Sequence, residues 1–411
     1  MSNLPNRTPS RTRDAIDTLR RRYSDDLPQA NISLQPGLPQ ALRAKAAAGK
    51  NARKKARHAR TKVAFPRFGY YDVAFKFFVE HVLDADYVAL PEATRRTLEL
   101  GSTNSNGFVC APFKHILGDY IEALEMGADV LVQFAGPCRL GYYGELQESI
   151  LRDMGYSFEM LNFATVTGKP LKEYIETCKK KVNPDLLVTQ GAKNFLGLLK
   201  MTEALDSYHD YFMDNAAFEA EAGSFDHARR EFFDAMRGVE SITQISETYK
   251  EHRRILEELP LNRPLDPVRV GLIGEYFTAM DPHSNLDVEA KLRAMGVSMA
   301  RGINITNRNL RYNEPNLRRS VSEYVQHNMG PTSTLSIAWA KRYAEEGFDG
   351  IIHLKSSGCT PEIDVMPVLQ RISHDYKVPI LYLSYDSQTS DTGLDTRLEA
   401  FYDMIAMRKA R

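Results

Sequence analysis

The stretch "DVLVQFAGPCRLGYYGELQESILRDMG", Asp129 to Gly155, decides the fold class. Its first six residues form an apolar run typical of a buried strand, and "YGELQESILRDMG" has the spacing of an amphipathic helix. The turn between them carries Gly136, Pro137 and Cys138. A strand, a short turn and a helix are the repeating parts of a parallel α/β sheet, so this stretch predicts that architecture.

Two α/β domains separated by helices are predicted. Residues 63–165 alternate apolar runs such as "VAFPRF", "DYVAL", "GFVCAPF" and "YSFEML" with amphipathic segments, which indicates a doubly wound, mostly parallel sheet. Residues 166–266 are rich in helix formers and contain the proline-rich "PLNRPLDP", which predicts a helical insert and a linker. Residues 267–411 resume the alternation with "VRVGLIGEYF", "DGIIHLKSSG" and "VPILYLSYD" as strands of a second doubly wound domain.

Charge is unevenly distributed along the chain. Residues 1–62 hold 15 Lys and Arg against 4 Asp and Glu, whereas the remainder holds 38 against 49. This basic tail has little apolar material to bury, so it is predicted to be disordered. We expect a solvated tail. The alternative is a segment that binds nucleic acid through counterion release.

The overall composition, 43% hydrophobic and 26% charged, is that of a globular protein. No apolar run approaches the roughly 20 residues that a membrane-spanning helix needs, and no N-terminal segment resembles a secretory signal. Four cysteines without close pairs argue against a disulfide scaffold. We therefore expect a cytoplasmic protein without a membrane partner.

Three of the four cysteines are predicted to follow strands. Cys110 ends "GFVC", Cys138 follows "DVLVQF", and Cys359 follows "DGIIHLKSSG". The carboxyl edge of an α/β sheet is where ligands bind, so these thiols are candidate ligands of a shared metal. A [4Fe–4S] cluster with one open iron suits three thiolates, and zinc is the competing metal. Three unrelated buried thiols are the alternative. Cys178 falls within a helix and is predicted to be a packing residue.

A family resemblance adds to this reading. "GFVCAPFKHILGDYIEALEMGADVLVQFAGPCRLGYYGELQESILRDMG", "GLIGEYF" and "GCTPEIDVMPVLQRI" with the segment that follows it resemble the 2-hydroxyacyl-CoA dehydratase and benzoyl-CoA reductase family. The chain is most similar to the family's activase-related branch. The likeness covers most of residues 63–411 and excludes the basic tail.

The resemblance implies a cofactor and partners. Family members hold an iron–sulfur cluster between two α/β domains with three cysteines, which implies Cys110, Cys138 and Cys359 as ligands of a [4Fe–4S] cluster. A separate ATPase with an actin-like fold delivers electrons to that cluster, for reductive or radical chemistry on an acyl-CoA thioester. A related second subunit or a homodimer is also implied. A double-cubane cluster would need more cysteines than this chain supplies.

A few other residues are candidates for catalysis or binding. Arg139 and Lys114 could offset the negative charge of thiolate-bound iron or hold a phosphate, although each could equally be structural. Glu275 in "GLIGEYF" is a candidate acid or base, with a helix cap as the alternative. Tyr142 and Tyr143 could pack over the cluster. The chain has neither a G-x-G-x-x-G fingerprint nor a Walker A motif.

The function that these residues predict is that of a dehydratase or reductase component with oxygen-sensitive iron. A non-catalytic accessory protein that carries a cluster or zinc remains open. A nucleic-acid-associated protein, acting through its basic tail, is the third reading.

Overall fold

The structure is a computed structural model that describes residues 60–133, 143–163, 171–327 and 329–410. Residues 1–59, which make up nearly all of the predicted basic tail, lie outside these ranges. All described residues belong to one compact unit.

Four parallel strands form the first sheet, in the order β2-β1-β3-β4. The strands are β1 (Lys62–Ala64), β2 (Asp86–Tyr87), β3 (Val130–Gln133) and β4 (Glu159–Asn162). Every residue of β3 is buried, as expected for a strand that helices cover on both faces.

The second sheet repeats this order as β6-β5-β7-β8. Its strands are β5 (Arg269–Gly274), β6 (Ser298–Arg301), β7 (Gly350–Ser356) and β8 (Ile380–Tyr385). The predicted α/β class with two parallel sheets is therefore confirmed. The direction of winding reverses between β1 and β3 in the first sheet and between β5 and β7 in the second. In such sheets, the crevice beyond the carboxyl ends of these two strands is the usual ligand site.

The helices of the first half pack around the first sheet. They are α1 (Asp72–Phe77, continued by a π-helical turn at Phe78–Val82), α2 (Arg95–Thr103), α3 (Ala111–Glu125) and α4 (Tyr143–Asp153). The predicted strand "GFVCAPF" was wrong: residues 107–109 form a turn and α3 begins at Ala111. Phe108 is 99% exposed, so nothing packs on it as a strand would require, and Pro112 favours a helix start.

The middle of the chain is helical. Its helices are α5 (Leu171–Lys181), α6 (Val188–Asn215), α7 (Ser224–Arg237) and α8 (Ile242–Glu258). They share one hydrophobic core with β1 and α1, in which Val63 and Phe75 join Leu205, Phe225 and Phe232. This region is therefore packed onto the first sheet.

Besides the π-helical segment Thr306–Leu310, eight α-helices accompany the second sheet in the described part of the chain. They are α9 (Tyr276–Met280), α10 (Pro282–Asn285), α11 (Val288–Ala294), α12 (Glu314–Ser320), α13 (Pro331–Glu345), α14 (Thr360–Asp364), α15 (Met366–Tyr376) and α16 (Asp391–Lys409). Within the described ranges, no helix is both long and apolar enough to cross a membrane.

The two sheets are joined by close packing after β1 and β5. The ring of Phe68 contacts those of Tyr276 and Phe277, with centroids 5.3 and 5.6 Å apart. Gly69 has a φ of 52°, and a Cβ there would lie 2.6 Å from the Met280 carbonyl oxygen. Only glycine allows this approach, which brings the carboxyl edges of the two sheets together.

Candidate metal centre

Cys359 lies beyond the carboxyl end of β7, next to β5 at the point where the winding of the second sheet reverses. It caps α14 and is 9% exposed. Its N–H donates to the Ser356 carbonyl at 3.0 Å, and its own carbonyl accepts from the Ile363 N–H at 3.0 Å. Backbone hydrogen bonds on both sides therefore hold this thiol in place.

Cys110 precedes α3 and is half-buried. Because residues 107–109 form a turn, it follows the α2–α3 loop and not a strand, which corrects the prediction. Its sulfur lies 2.5 Å from the hydroxyl of Tyr143, the first residue of α4. The sequence suggested that the ring of Tyr143 could pack over a cluster. In the structure its hydroxyl forms a hydrogen bond with the Cys110 sulfur.

The loops that carry these two cysteines contact each other. The N–H of Ala111 donates to the Ser356 hydroxyl at 2.9 Å, and this bond is buried. A Cβ on Gly358 would lie 3.7 Å from the Phe108 carbonyl oxygen. The sequence-distant Cys110 and Cys359 are thus held at one site between the two sheets.

The environment of Cys359 disfavours an uncompensated thiolate. Burial raises the pKa of its thiol, and the carboxylates of Glu275 and Glu362 and the sulfur of Cys110 raise that pKa further. The backbone N–H of Glu362 opposes this rise. A nearby cation would favour the thiolate form, and a bound metal ion supplies such a charge.

The third predicted ligand is Cys138. Cys138, Arg139 and Tyr142 lie outside the described residues, between Gln133 at the end of β3 and Tyr143. Among the described residues, no three His, Cys, Asp or Glu side chains form a group that could hold a metal ion. Of the three predicted thiol ligands, Cys110 and Cys359 are described, and the loops that carry them are in contact.

The described residues that could hold an iron–sulfur cluster are the two thiols of Cys110 and Cys359. They come from opposite halves of the chain, and the hydroxyl of Tyr143 provides a hydrogen bond to the Cys110 sulfur, as is usual around bound iron.

Residues 301–405 match the family model described as "2-hydroxyglutaryl-CoA dehydratase, D-component". This part of the chain is similar to the 2-hydroxyacyl-CoA dehydratase family. The matched region runs from the end of β6 into α16 and includes Cys359, whereas Cys110 and Cys138 lie outside it. No curated protein matches the chain.

Two further candidates, Glu275 and Lys114, have structural contacts. Glu275 caps α9: its carboxylate accepts from the N–H groups of Phe277 and Thr278 at 2.9 and 2.8 Å. Burial raises the pKa of Glu275, and these hydrogen bonds oppose the rise. Lys114 is buried, and its ammonium donates to the Gly107 carbonyl at 3.3 Å, within the turn before Cys110. The contacts favour the structural alternative for both residues.

The sequence reasoning missed a buried polar network beneath Cys359. His353 Nε2 lies 2.7 Å from a carboxylate oxygen of Glu362, and the Ser336 hydroxyl donates to the same carboxylate at 3.1 and 3.2 Å. All three residues are at most 1% exposed. The available signal was the strand "GIIHLKS" itself, because His353 and Lys355 interrupt a continuous apolar run on one face.

Proposed function

We propose that this chain is the iron–sulfur component of a dehydratase-type system. Cys110, Cys138 and Cys359 would hold a [4Fe–4S] cluster, and a separate ATP-dependent activator with an actin-like fold would supply low-potential electrons. An acyl-CoA thioester is the proposed substrate class, a related second subunit or second copy the proposed partner, and the cytoplasm the proposed location. The match of residues 301–405 to the dehydratase family model and the resemblance of the cysteine motifs support these finer statements.

The observation that carries the proposal is the meeting of Cys110 and Cys359. They lie on loops from opposite halves of the chain, joined by the buried Ala111–Ser356 hydrogen bond. A bound cluster would supply single electrons at low potential and an iron open to a substrate oxygen.

The chain's own residues would prepare the site. The hydroxyl of Tyr143 would donate a hydrogen bond to the Cys110 sulfur, and the nearby backbone N–H of Glu362 favours the thiolate form of Cys359. The burial of Cys359 would keep water from its sulfur. The His353–Glu362–Ser336 network would hold the first turn of α14, and with it the Cys359 backbone.

Anaerobic reconstitution with iron and sulfide tests the proposal. We expect about four irons per chain, the number in one such cluster, with an absorption band that oxygen removes. Incubation with the candidate activator and ATP should then reduce the cluster. A chain that takes up no iron under these conditions would refute the proposal.

A second candidate is a non-catalytic protein that carries a cluster or zinc. Neither of two cavities in the described part of the chain is lined by a cysteine, so neither is a substrate space at the candidate metal centre. One, of about 540 Å³, is bordered by Arg318 and Arg319, and the other, of about 100 Å³, by Arg229 and Arg293. This candidate predicts stable metal content, with zinc or iron, and no reduction by the activator.

A further inference from the structure

Arg308 is a half-buried cation at the carboxyl edge of the second sheet. It lies in the π-helical segment Thr306–Leu310, which follows the end of β6. Among the described residues, its Nε is buried without a hydrogen-bond partner and its guanidinium forms no ion pair. Arg67, after β1, and Arg301, at the end of β6, each donate to a carboxylate. Arg308 therefore lacks the anion that comparable arginines have.

Three buried hydroxyl groups share this lack of a partner within the ranges that the structure describes. The Arg308 guanidinium lies over the ring of Tyr312, with its central carbon 5.1 Å from the ring centroid, and the Tyr312 hydroxyl is buried and unbonded. The hydroxyls of Thr306 and Tyr276 are also buried and unbonded. The guanidinium and all three hydroxyls can donate hydrogen bonds, so together they suit a ligand that accepts them.

Tyr276 and the π-helical segment contact the same pair of aromatic rings. Tyr276 begins α9 after β5, the strand that pairs with β6. Its ring lies 5.3 Å from that of Phe68, which lies 5.8 Å from that of Tyr71, between centroids. The Tyr71 hydroxyl accepts from the N–H of Ile305 at 3.1 Å, immediately before Thr306. The segments that follow β5 and β6 are therefore held side by side at the carboxyl edge.

We propose that Arg308 and the hydroxyl of Tyr312 bind the carboxylate of a small organic acid at this edge. A guanidinium matches a carboxylate with two parallel hydrogen bonds, and the carboxyl edge of an α/β sheet is where ligands bind. Ordered water could satisfy the hydroxyls, but it would not offset the positive charge of Arg308. This site goes beyond the proposed function and requires no iron.

The charge of the surroundings favours a carboxylate over a phosphate. Arg308 supplies one positive charge, and the hydroxyls are neutral. The carboxylate of Asp206 accepts from the N–H of Thr306 at 2.8 Å, two residues before Arg308. A second negative charge on the ligand would therefore be uncompensated close to a carboxylate, which is unfavourable away from water.

The test is calorimetric titration of the full chain with acetate, butyrate and benzoate at constant ionic strength. At least one of these acids should bind at a single site, and its neutral amide should not. Arg308→Met removes the charge while keeping a long side chain, and should weaken the binding about tenfold or more. Arg319→Met, an equal change of charge at an exposed position of α12, should leave the affinity unchanged.

Tyr312→Phe tests the site without a change of charge. It removes one hydroxyl and keeps the ring under Arg308, so it should fold like the parent and bind the same acid about threefold or more weakly. If Arg308→Met does not fold, this variant decides the question, and an affinity equal to that of the parent would overturn the inference.

Three other results would also overturn it. These are a parent that binds none of the three acids, equal affinity in the parent and in a folded Arg308→Met, and binding of inorganic phosphate but of no carboxylate. None of the titrations depends on iron, so their failure is distinct from a failure of the reconstitution that tests the proposed function.

Discussion

At the scale of single residues, side chains of similar type have different roles according to their neighbours. Cys178 is buried within α5 in the core shared with the first sheet, and burial raises its pKa to about 11. Cys359 is also buried but lies at a strand end, beside Cys110 and two carboxylates. A thiol in an apolar core is inert, whereas a thiol beside hydrogen-bond donors at a sheet edge can bind metal.

The cysteine series tests this contrast. Single replacements Cys110→Ser, Cys138→Ser and Cys359→Ser should each reduce iron per reconstituted chain sharply, because a hydroxyl is a poor ligand for iron. Cys178→Ser is the matched control and should retain the parent's iron content. Iron and sulfide analysis of the four variants gives the answer, and parental iron content in Cys359→Ser would contradict the ligand assignment.

Glu275 offers a second test at this scale, between a helix cap and a catalytic acid. Glu275→Ala removes the acceptor for two backbone N–H groups and should lower the free energy of unfolding by about 1 kcal/mol. Glu275→Gln keeps an acceptor oxygen and should lose less. Urea unfolding measures both variants, and an unaltered stability in Glu275→Ala would rule out the capping role.

At the scale of elements, α3 is the helix that links the Cys110 loop to the junction between the sheets. All its residues from Ala111 to Ala123 are buried, including His115. The His115 ring lies 5.9 Å from that of Phe277 and 5.6 Å from that of His283, between centroids. Burial, with His283 and Arg67 nearby, lowers the pKa of His115 to about 4.

This shift predicts a loss of stability in acid. The folded pKa lies below the unfolded value of 6.5, so the unfolded chain binds the proton first as pH falls. The contribution of neutral His115 is therefore complete above pH 6.5 and declines towards pH 4, by about 3 kcal/mol in all.

Urea unfolding of the parent and of His115→Gln between pH 7 and pH 4 measures this decline. The stability of the parent relative to the variant should fall by about that amount, since other titrating groups are common to both proteins. A difference that stays constant with pH would contradict the prediction.

At the scale of the whole molecule, one carboxylate on α6 connects both sheets. Asp206 accepts hydrogen bonds from the hydroxyls of Tyr70, at 2.8 Å, and Tyr71, which follow β1. Its other oxygen accepts from the Thr306 N–H at 2.8 Å, beyond β6. Beside it, Arg301 donates to Glu289 at 2.7 Å and is almost fully buried.

Removing this carboxylate should destabilise the molecule as a whole. Asp206→Ala removes the acceptor of three donors, among them the buried Tyr71 hydroxyl and Thr306 N–H, and we expect a loss of about 2 kcal/mol or more in the free energy of unfolding. Asp206→Asn keeps one acceptor oxygen and should lose less. Asp364→Ala, at an exposed position of α14, is the control. A urea midpoint in Asp206→Ala equal to that of the control would show that the network is dispensable.

The sequence by itself determined the fold class, because apolar runs such as β3 and β7 and the amphipathic helices between them report which faces are buried. Long motifs around the cysteines also gave the resemblance to the dehydratase family, which the comparison finds over residues 301–405. The tertiary structure alone decided that Cys110 and Cys359 meet, that Cys110 follows a turn and not a strand, and that Glu275 caps a helix. Periodicity reports how one element is buried and not which element lies against it. The physical reason is that such contacts depend on packing between residues up to 245 positions apart, as in the Ala111–Ser356 hydrogen bond.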